Sequence, residues 1–268
     1  MPDSGIDTLA PVAGLEVSLA DGVLSVILDR PKSLNSLTTA MLAGIADAME
    51  RAATDPRVRV VRLGGKGRGF SSGAGMSAED AGRDKSRTAT ITEINRAVRA
   101  ITVLPHPVVA VVQGPAAGVG VSLALACDLV LASDTAFFML AFTKIGLMPD
   151  GGASALVAAA IGRIRAMHMA LLPERLPAAD ALSYGLVSAV FSAEDFDSEV
   201  DRVIARLLAG PAVAFSRTKN AINAATLTEL ERTLEREFEG QTFLLGSHDF
   251  AEGARAFQQR RLPTFTDS

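Results

Sequence analysis

Along the first two hundred residues the apolar positions fall into short runs broken by glycine turns. The stretch GLEVSLADGVLSVILDRP, from Gly14 to Pro31, reads as two strands joined at Asp21-Gly22, a strong hairpin signal, and Pro31 stops the second strand. Leu37, Met41, Leu42, Ile45 and Met49 then follow helical spacing. VRVVRLGG (58–65) predicts a strand, KGRGFSSGAGMSAED (66–80) a glycine- and serine-rich loop, and 81–103 a helix with partial periodicity through Ile91 and Val98. HPVVAVVQG (106–114) reads as a buried strand and DLVLAS (128–133) as a further short one, with the glycine-rich GPAAGVG (114–120) and a small apolar helix between them. The order strand, glycine loop, helix therefore repeats.

The last sixty or so residues change character. Ser192–Leu208, Ala212–Ala224 and Leu227–Phe238 read as successive helices. Thr226 and Glu229 suggest a capping box for the third, with Leu227, Leu230, Leu234 and Phe238 as its apolar stripe. A stripe that a helix cannot cover alone needs a partner. The expected division is a core over 1–205 and a helical oligomerisation region over 206–268, in a fold of class α/β.

With 268 residues, the chain can bury about 70–75% of the surface its unfolded form exposes. The single cysteine, Cys127, rules out an intrachain disulfide and fits a reducing compartment. The 26 basic and 30 acidic side chains give a net charge of −4, the opposite of a nucleic-acid binder's usual balance. The opening MPDSGIDTLAPVAG has neither a basic nor an apolar leader segment, and the longest apolar runs, such as 119–127 and 155–161, are too short for a bilayer. A cytoplasmic protein that binds no nucleic acid and no membrane is the expectation.

Several familiar signatures are incomplete. Gly118 and Gly120 begin a dinucleotide fingerprint, but Leu123 stands where its third glycine belongs. GGKGRG lacks the hydroxyl that a Walker loop carries after its lysine, here Lys66. Ser216–Lys219 matches S-x-x-K without its companion motifs. His106, His168 and His248 have no ligand-like neighbours, so no metal is expected. Two glycine loops remain, FSSGAGM (70–76) and GPAAGVG (114–120), each between a strand and a helix. Glycines there either only permit tight turns or let two backbone N–H groups face one point, the geometry of an oxyanion hole.

Five segments in order, LDRPKSLNSLT, GFSSGAGM, GPAAGVGVSLALACDLVLAS, FTKIGLMPDGG and SHDFAEGARAFQQRRLPTF, resemble the crotonase superfamily of enoyl-CoA hydratases and isomerases. The resemblance covers nearly the whole chain. It implies a crotonase-like spiral of ββα units with C-terminal helices that build a homotrimer or a hexamer of paired trimers. It also implies an acyl-CoA thioester as substrate, with no metal or redox cofactor: coenzyme A is part of the substrate. The two N–H groups that would hold a thioester enolate are those of Ala74, after Gly73, and Val119, after Gly118. Ser72 would lie by the adenine and Lys32–Leu34 along the CoA chain, where Lys32 either approaches a phosphate or stays solvated.

The chain departs from the hydratase pattern at both glutamate positions, which hold Ser122 and Phe142. Neither can do the acid–base work of hydration. Asp150 resembles the aspartate of some family isomerases. Moving a double bond needs one base, and a carboxyl beside Phe142 and Leu147 would be expected to rise in pKa. Asp150 before Gly-Gly-Ala-Ser also suits a turn or helix cap; both roles can hold at once. Glu79 and Asp80 read as solvated helix-start residues. The acyl chain would lie near Phe142, Ser122 and the 81–103 helix. The expected function is double-bond isomerisation; the rivals are a non-catalytic acyl-CoA carrier and another reaction through the same enolate, such as hydrolysis or ring isomerisation.

Overall fold

A computed structural model describes residues 5–75 and 87–267. Strands β1 (Leu15–Ala20) and β2 (Val23–Leu28) form the expected antiparallel hairpin, with Ala20 opposite Val23. Asp21 and Gly22 both take positive φ, 49° and 82°, the conformation a two-residue turn between right-twisted strands requires.

From β2 onward the large sheet is parallel. β3 (Val60–Gly65), β4 (Val108–Val112), β6 (Leu129–Ser133) and β9 (Ala189–Phe191) follow in the order β1-β2-β3-β4-β6-β9. β4, VVAVV, is buried at every position, as a strand covered on both faces must be. A second sheet holds β5 (Ala116–Ala117), β7 (Phe137–Met139) and β8 (Leu176–Pro177). Single parallel bridges, Leu37 to Ala74 and Ser71 to Ala116, extend its direction toward the first glycine loop. The chain thus visits a large-sheet strand, a short second-sheet strand and then a helix, a spiral of ββα turns.

Helices α1 (Thr39–Ala52), α2 (Arg87–Val103) and α3 (Val119–Ala126) share the main core with the large sheet. Thr38 caps α1, its hydroxyl accepting from Met41 N–H at 3.2 Å. Beyond them come α4 (Ala153–Ile161), α5 (Arg163–Leu171), α6 (Ala178–Tyr184), α7 (Phe196–Leu208), α8 (Ala212–Thr226), α9 (Leu230–Leu245) and α10 (His248–Gln259). A second core lies where Phe196, Val200 and Ile204 of α7 meet Val60, Val109, Val111 and Leu131. Residue 205 lies inside α7, a helix that covers the sheet and ends at Leu208.

Four boundaries of the C-terminal helices differ from expectation, the fourth being the end of α9, at Leu245 and not Phe238. α7 starts at Phe196, because Ser192 turns the chain first and its hydroxyl accepts from Asp195 N–H at 3.1 Å. α8 runs on to Thr226, and α9 starts only at Leu230. The Thr226–Glu229 capping box is not formed: Thr226 ends a helix, its Oγ1 donating to the Ile222 carbonyl at 2.8 Å, and the Glu229 side chain makes no cap. The buried seam of α9 is Leu230, Leu234, Glu237 and Gln241, with Leu227 and Phe238 half-buried. Its second half is polar. Glu79 and Asp80, and residues 81–86 of the expected helix, lie outside the described residues.

Candidate active site

A cavity of about 950 Å³ opens beside the two glycine loops, lined among others by Ser72, Gly73, Ala74, Gly118, Val119, Phe142, Leu147, Asp150 and Gln241. A buried polar network fixes the first loop. Asn35 (φ +55°) accepts from Arg30 N–H through Oδ1 at 2.8 Å and donates through Nδ2 to the Gly69 and Lys66 carbonyls at 2.8 and 3.0 Å. Ser71 Oγ donates to the Asn35 carbonyl at 2.9 Å and accepts from Gly73 N–H at 3.2 Å. Leu37 N–H bonds the Gly73 carbonyl and Gly75 N–H bonds the Leu37 carbonyl, at 2.8 and 3.0 Å. The N–H of Ala74, between them, makes no hydrogen bond among the described residues.

The second loop meets the first closely. Gly73 has φ +90°, and a Cβ there would stand 2.8 Å from the Ala117 carbonyl oxygen and 3.4 Å from Val119 N. Gly118 takes φ 52°, ψ −127°, open to glycine. Val119 begins α3, so its N–H lies outside the helical ladder, and it too has no acceptor among the described residues. Two unpartnered N–H groups from separate turns thus share one wall. The Phe142 ring packs over Gly118, its Cζ 3.8 Å from where a Cβ would be.

Asp150 is 4% exposed and lines the same cavity. Its Oδ2 accepts from Gln241 Nε2 at 3.0 Å, while its Oδ1 has no partner among the described residues. Burial pushes the carboxyl up to about 7, the nearby negative Glu237 adds to this, and the Gln241 hydrogen bond opposes it. The side chain does not cap α4. That helix is capped from α9: Glu237 accepts from Gly152 N–H at 2.6 Å and from Ser154 N–H at 2.8 Å. Burial raises the Glu237 carboxyl as well, with both helix N–H groups and the Ser154 side chain opposing the rise.

Other candidates are occupied. Lys66 pairs with Glu16 and, at 2.9 Å, with Asp29. Lys219 is a tie between α8 and the core, donating to Asp128 at 2.9 Å and to the Ile101 carbonyl at 3.0 Å. No group of three metal-binding side chains occurs among the described residues. Burial pushes the Cys127 thiol well up, which removes it as a nucleophile at neutral pH. Among the described residues no helix is long and apolar enough to cross a membrane.

The family model described as enoyl-CoA hydratase/isomerase matches residues 18–268. The chain belongs to the enoyl-CoA hydratase/isomerase family. It is 38% identical over 252 residues to a "probable enoyl-CoA hydratase" of Rhodobacter capsulatus, covering 94% of this chain and 97% of that one. It is 35% identical over 254 residues to 1,2-epoxyphenylacetyl-CoA isomerase of Escherichia coli, covering 91% and 95%. Its fold matches the crystal structure of an enoyl-CoA hydratase from Mycobacterium avium subsp. paratuberculosis, with a TM-score of 0.91, 72% identity, and 96% and 100% of the two chains covered. The crotonase-like α/β spiral with C-terminal helices is therefore the fold of this chain, and an acyl-CoA thioester fits the family.

Within that family fold, the structure brings together Lys32, Ser72, Gly73, Ala74, Gly118, Val119, Phe142 and Asp150 around one cavity. Two expected residues stand apart. Leu34 takes φ 54°, and its carbonyl accepts from Ser72 N–H at 2.8 Å while its side chain faces Gly69. It shapes the loop and does not line the cavity. Ser122 is fully buried behind Asp150, its Oγ donating to the Asp150 carbonyl at 2.8 Å. Phe142 lines the cavity and Ser122 does not, because Gly151 packs directly on the serine. Sequence reading missed Glu237 and Gln241. Their spacing from Leu230 and Leu234 was the available signal, but a seam scored for apolar residues passes over both.

Proposed function

We propose that this protein is an acyl-CoA double-bond isomerase with Asp150 as its acid–base group. The observation that carries the reading is Asp150 itself: a buried carboxyl poised near neutral pH, with a partnerless oxygen, in a cavity that also holds the free N–H groups of Ala74 and Val119. On a 3-enoyl thioester, Asp150 takes a proton from C2 and the electron pair moves onto the thioester oxygen. The Ala74 and Val119 N–H groups hold that oxygen as it gains charge, each worth about 3–4 kcal/mol of barrier. The same carboxylic acid then returns the proton at C4, and the double bond now joins C2 and C3. One group serves both transfers, so glutamates at 122 and 142 are not needed. Phe142 and Leu147 supply the apolar surroundings that keep the carboxyl's proton affinity high.

The C-terminal region 206–268 is proposed to build a homotrimer or hexamer in the cytoplasm. Val213, Ile222, Phe243, Phe257 and Leu262, all in that region, are more than half exposed, and apolar side chains gathered into one patch mark a protein–protein contact. Light scattering of the purified protein, giving a mass of three or six chains, tests this; a monomer refutes it.

The activity test is wild type against Asp150→Asn with 3-enoyl-CoA, together with deuterium uptake at C2 from heavy water. Turnover and uptake by wild type, both lost in the variant, are the expected results. A variant retaining most of its rate removes Asp150 as the base. Tight binding of acyl-CoA with neither turnover nor uptake by wild type makes the protein a carrier instead.

A further inference from the structure

Glu237 and Gln241 stand one turn apart on α9 and are 1% and 2% exposed, in a seam otherwise made of Leu230 and Leu234. Burying two polar side chains in such a seam is costly unless each is fully bonded. Gln241 bonds Asp150 and Met148, and Glu237 bonds the N–H groups of Gly152 and Ser154, just after Asp150 in the chain. We propose that Gln241 and Glu237 are positioning residues for Asp150: Gln241 selects which carboxyl oxygen works, and Glu237 occupies the helix N–H groups that would otherwise claim it. This rests on the reading of Asp150 as the acid–base group.

Gln241 can face only one way. Its Oε1 accepts from Met148 N–H at 3.2 Å, so its NH2 group meets Asp150 Oδ2 at 3.0 Å. An amide held at both ends pins one carboxyl oxygen and leaves Oδ1 as the atom for a substrate proton.

Glu237 acts by occupation. Asp150 lies two residues before Gly152, the N-cap of α4, and an aspartate side chain can take the N–H two residues on in an Asx turn. Such capture would hold the carboxyl as an anion on the helix end and spend Oδ1 there. Glu237 already takes Gly152 and Ser154 N–H. Its own negative charge also disfavours ionising Asp150.

The other charged groups around Asp150 are few. α3 and α4 carry no charged side chain. On α2, Arg96 is held by Glu93, Asp47 and Glu50, and Arg99 by Glu231. Asp29, Arg30, Lys32 and Lys144 line the cavity.

The test measures kcat and KM for a 3-enoyl-CoA from about pH 5 to about pH 9 in wild type, Asp150→Asn, Gln241→Met and Glu237→Gln. Gln241→Met is expected to lower kcat at least about tenfold with KM nearly unchanged, and to move the acid limb to higher pH, because a donor to the carboxylate is gone. Glu237→Gln is expected to move that limb down by about half a unit or more, because a negative neighbour is gone and a helix N–H is freed. Displacements of opposite sign are a signature that a merely structural role does not produce. Should Glu237→Gln not fold, Gln241→Glu joins Gln241→Met; it sets a second carboxylate against Asp150, and both are expected to raise the limb. Folded variants whose limbs stay at the wild-type pH overturn the inference while an inactive Asp150→Asn leaves the isomerase reading standing. An active Asp150→Asn overturns both.

Discussion

Ser122 Oγ donates to the backbone carbonyl of Asp150 at 2.8 Å, so a residue that the family resemblance sets at a hydratase glutamate position supports the backbone of the cavity's buried carboxyl. The serine itself is out of reach of substrate, fully buried behind Gly151. Ser122→Ala is therefore expected to cost about 1–2 kcal/mol of stability with KM unchanged, read by urea unfolding and steady-state kinetics. Ser122→Glu buries a carboxylate without a basic partner and is expected to cost more than about 3 kcal/mol. Phe142→Glu, whose side chain faces the cavity, is expected to fold. Equal destabilisation by the two glutamates contradicts this placement.

Asp150 must be ionised to accept a proton. With its carboxyl pushed up to about 7 by burial, isomerisation is expected to fall about tenfold for each pH unit below about pH 6 and to level off above about pH 8. A pH profile that stays flat down to the ordinary carboxylate range shows that another group is the base.

The same burial has a stability consequence of definite sign. The folded chain binds the Asp150 proton more tightly than the unfolded chain does, since the value rises from 3.8 to about 7. Its contribution is fully present below about pH 4 and is lost as pH rises through about 7. Asp150→Asn is thus expected to be more stable than wild type at pH 8, by up to about 4 kcal/mol, with the gap closing toward pH 4. Urea unfolding of both proteins at the two pH values checks it, and a variant less stable at both refutes it.

Gly73 and Gly162 separate strain from obstruction. Both have positive φ, but a Cβ at Gly162 meets nothing within 4 Å, whereas at Gly73 it meets the Ala117 carbonyl at 2.8 Å. Each alanine variant is expected to lose about 1–3 kcal/mol from backbone strain. Gly73→Ala is also expected to cut kcat about a hundredfold or more, because it displaces one of the two loops that supply the N–H pair. Similar turnover in the two variants indicates that the contact between the loops does not govern the reaction.

Some of this was legible in the chain because it is local. Asp21-Gly22 dictates its own turn, VVAVV its own burial, and the two glycine loops announce backbone conformations closed to other residues. Thr226 misled because S/T-x-x-E also arises by chance where one helix ends just before another begins; its hydroxyl bonds backward to Ile222. Leu34 sits in a recognisable segment, but a positive φ turns its side chain from the cavity.

By itself, then, the sequence determined the order of strands, glycine turns and helices, the family, and the candidates Ala74, Val119 and Asp150, since these follow from neighbours a few residues apart and from motifs in fixed order. Only the tertiary structure decided that Asp150 is not a cap. That depended on Glu237 reaching Gly152 N–H from a helix 85 residues further along, and on Gln241, 91 residues away, holding one carboxyl oxygen. No local pattern encodes which of two carboxylates takes a helix end. Packing α9 against α4 settles it, because the Gly152 N–H already donates to Glu237 at 2.6 Å.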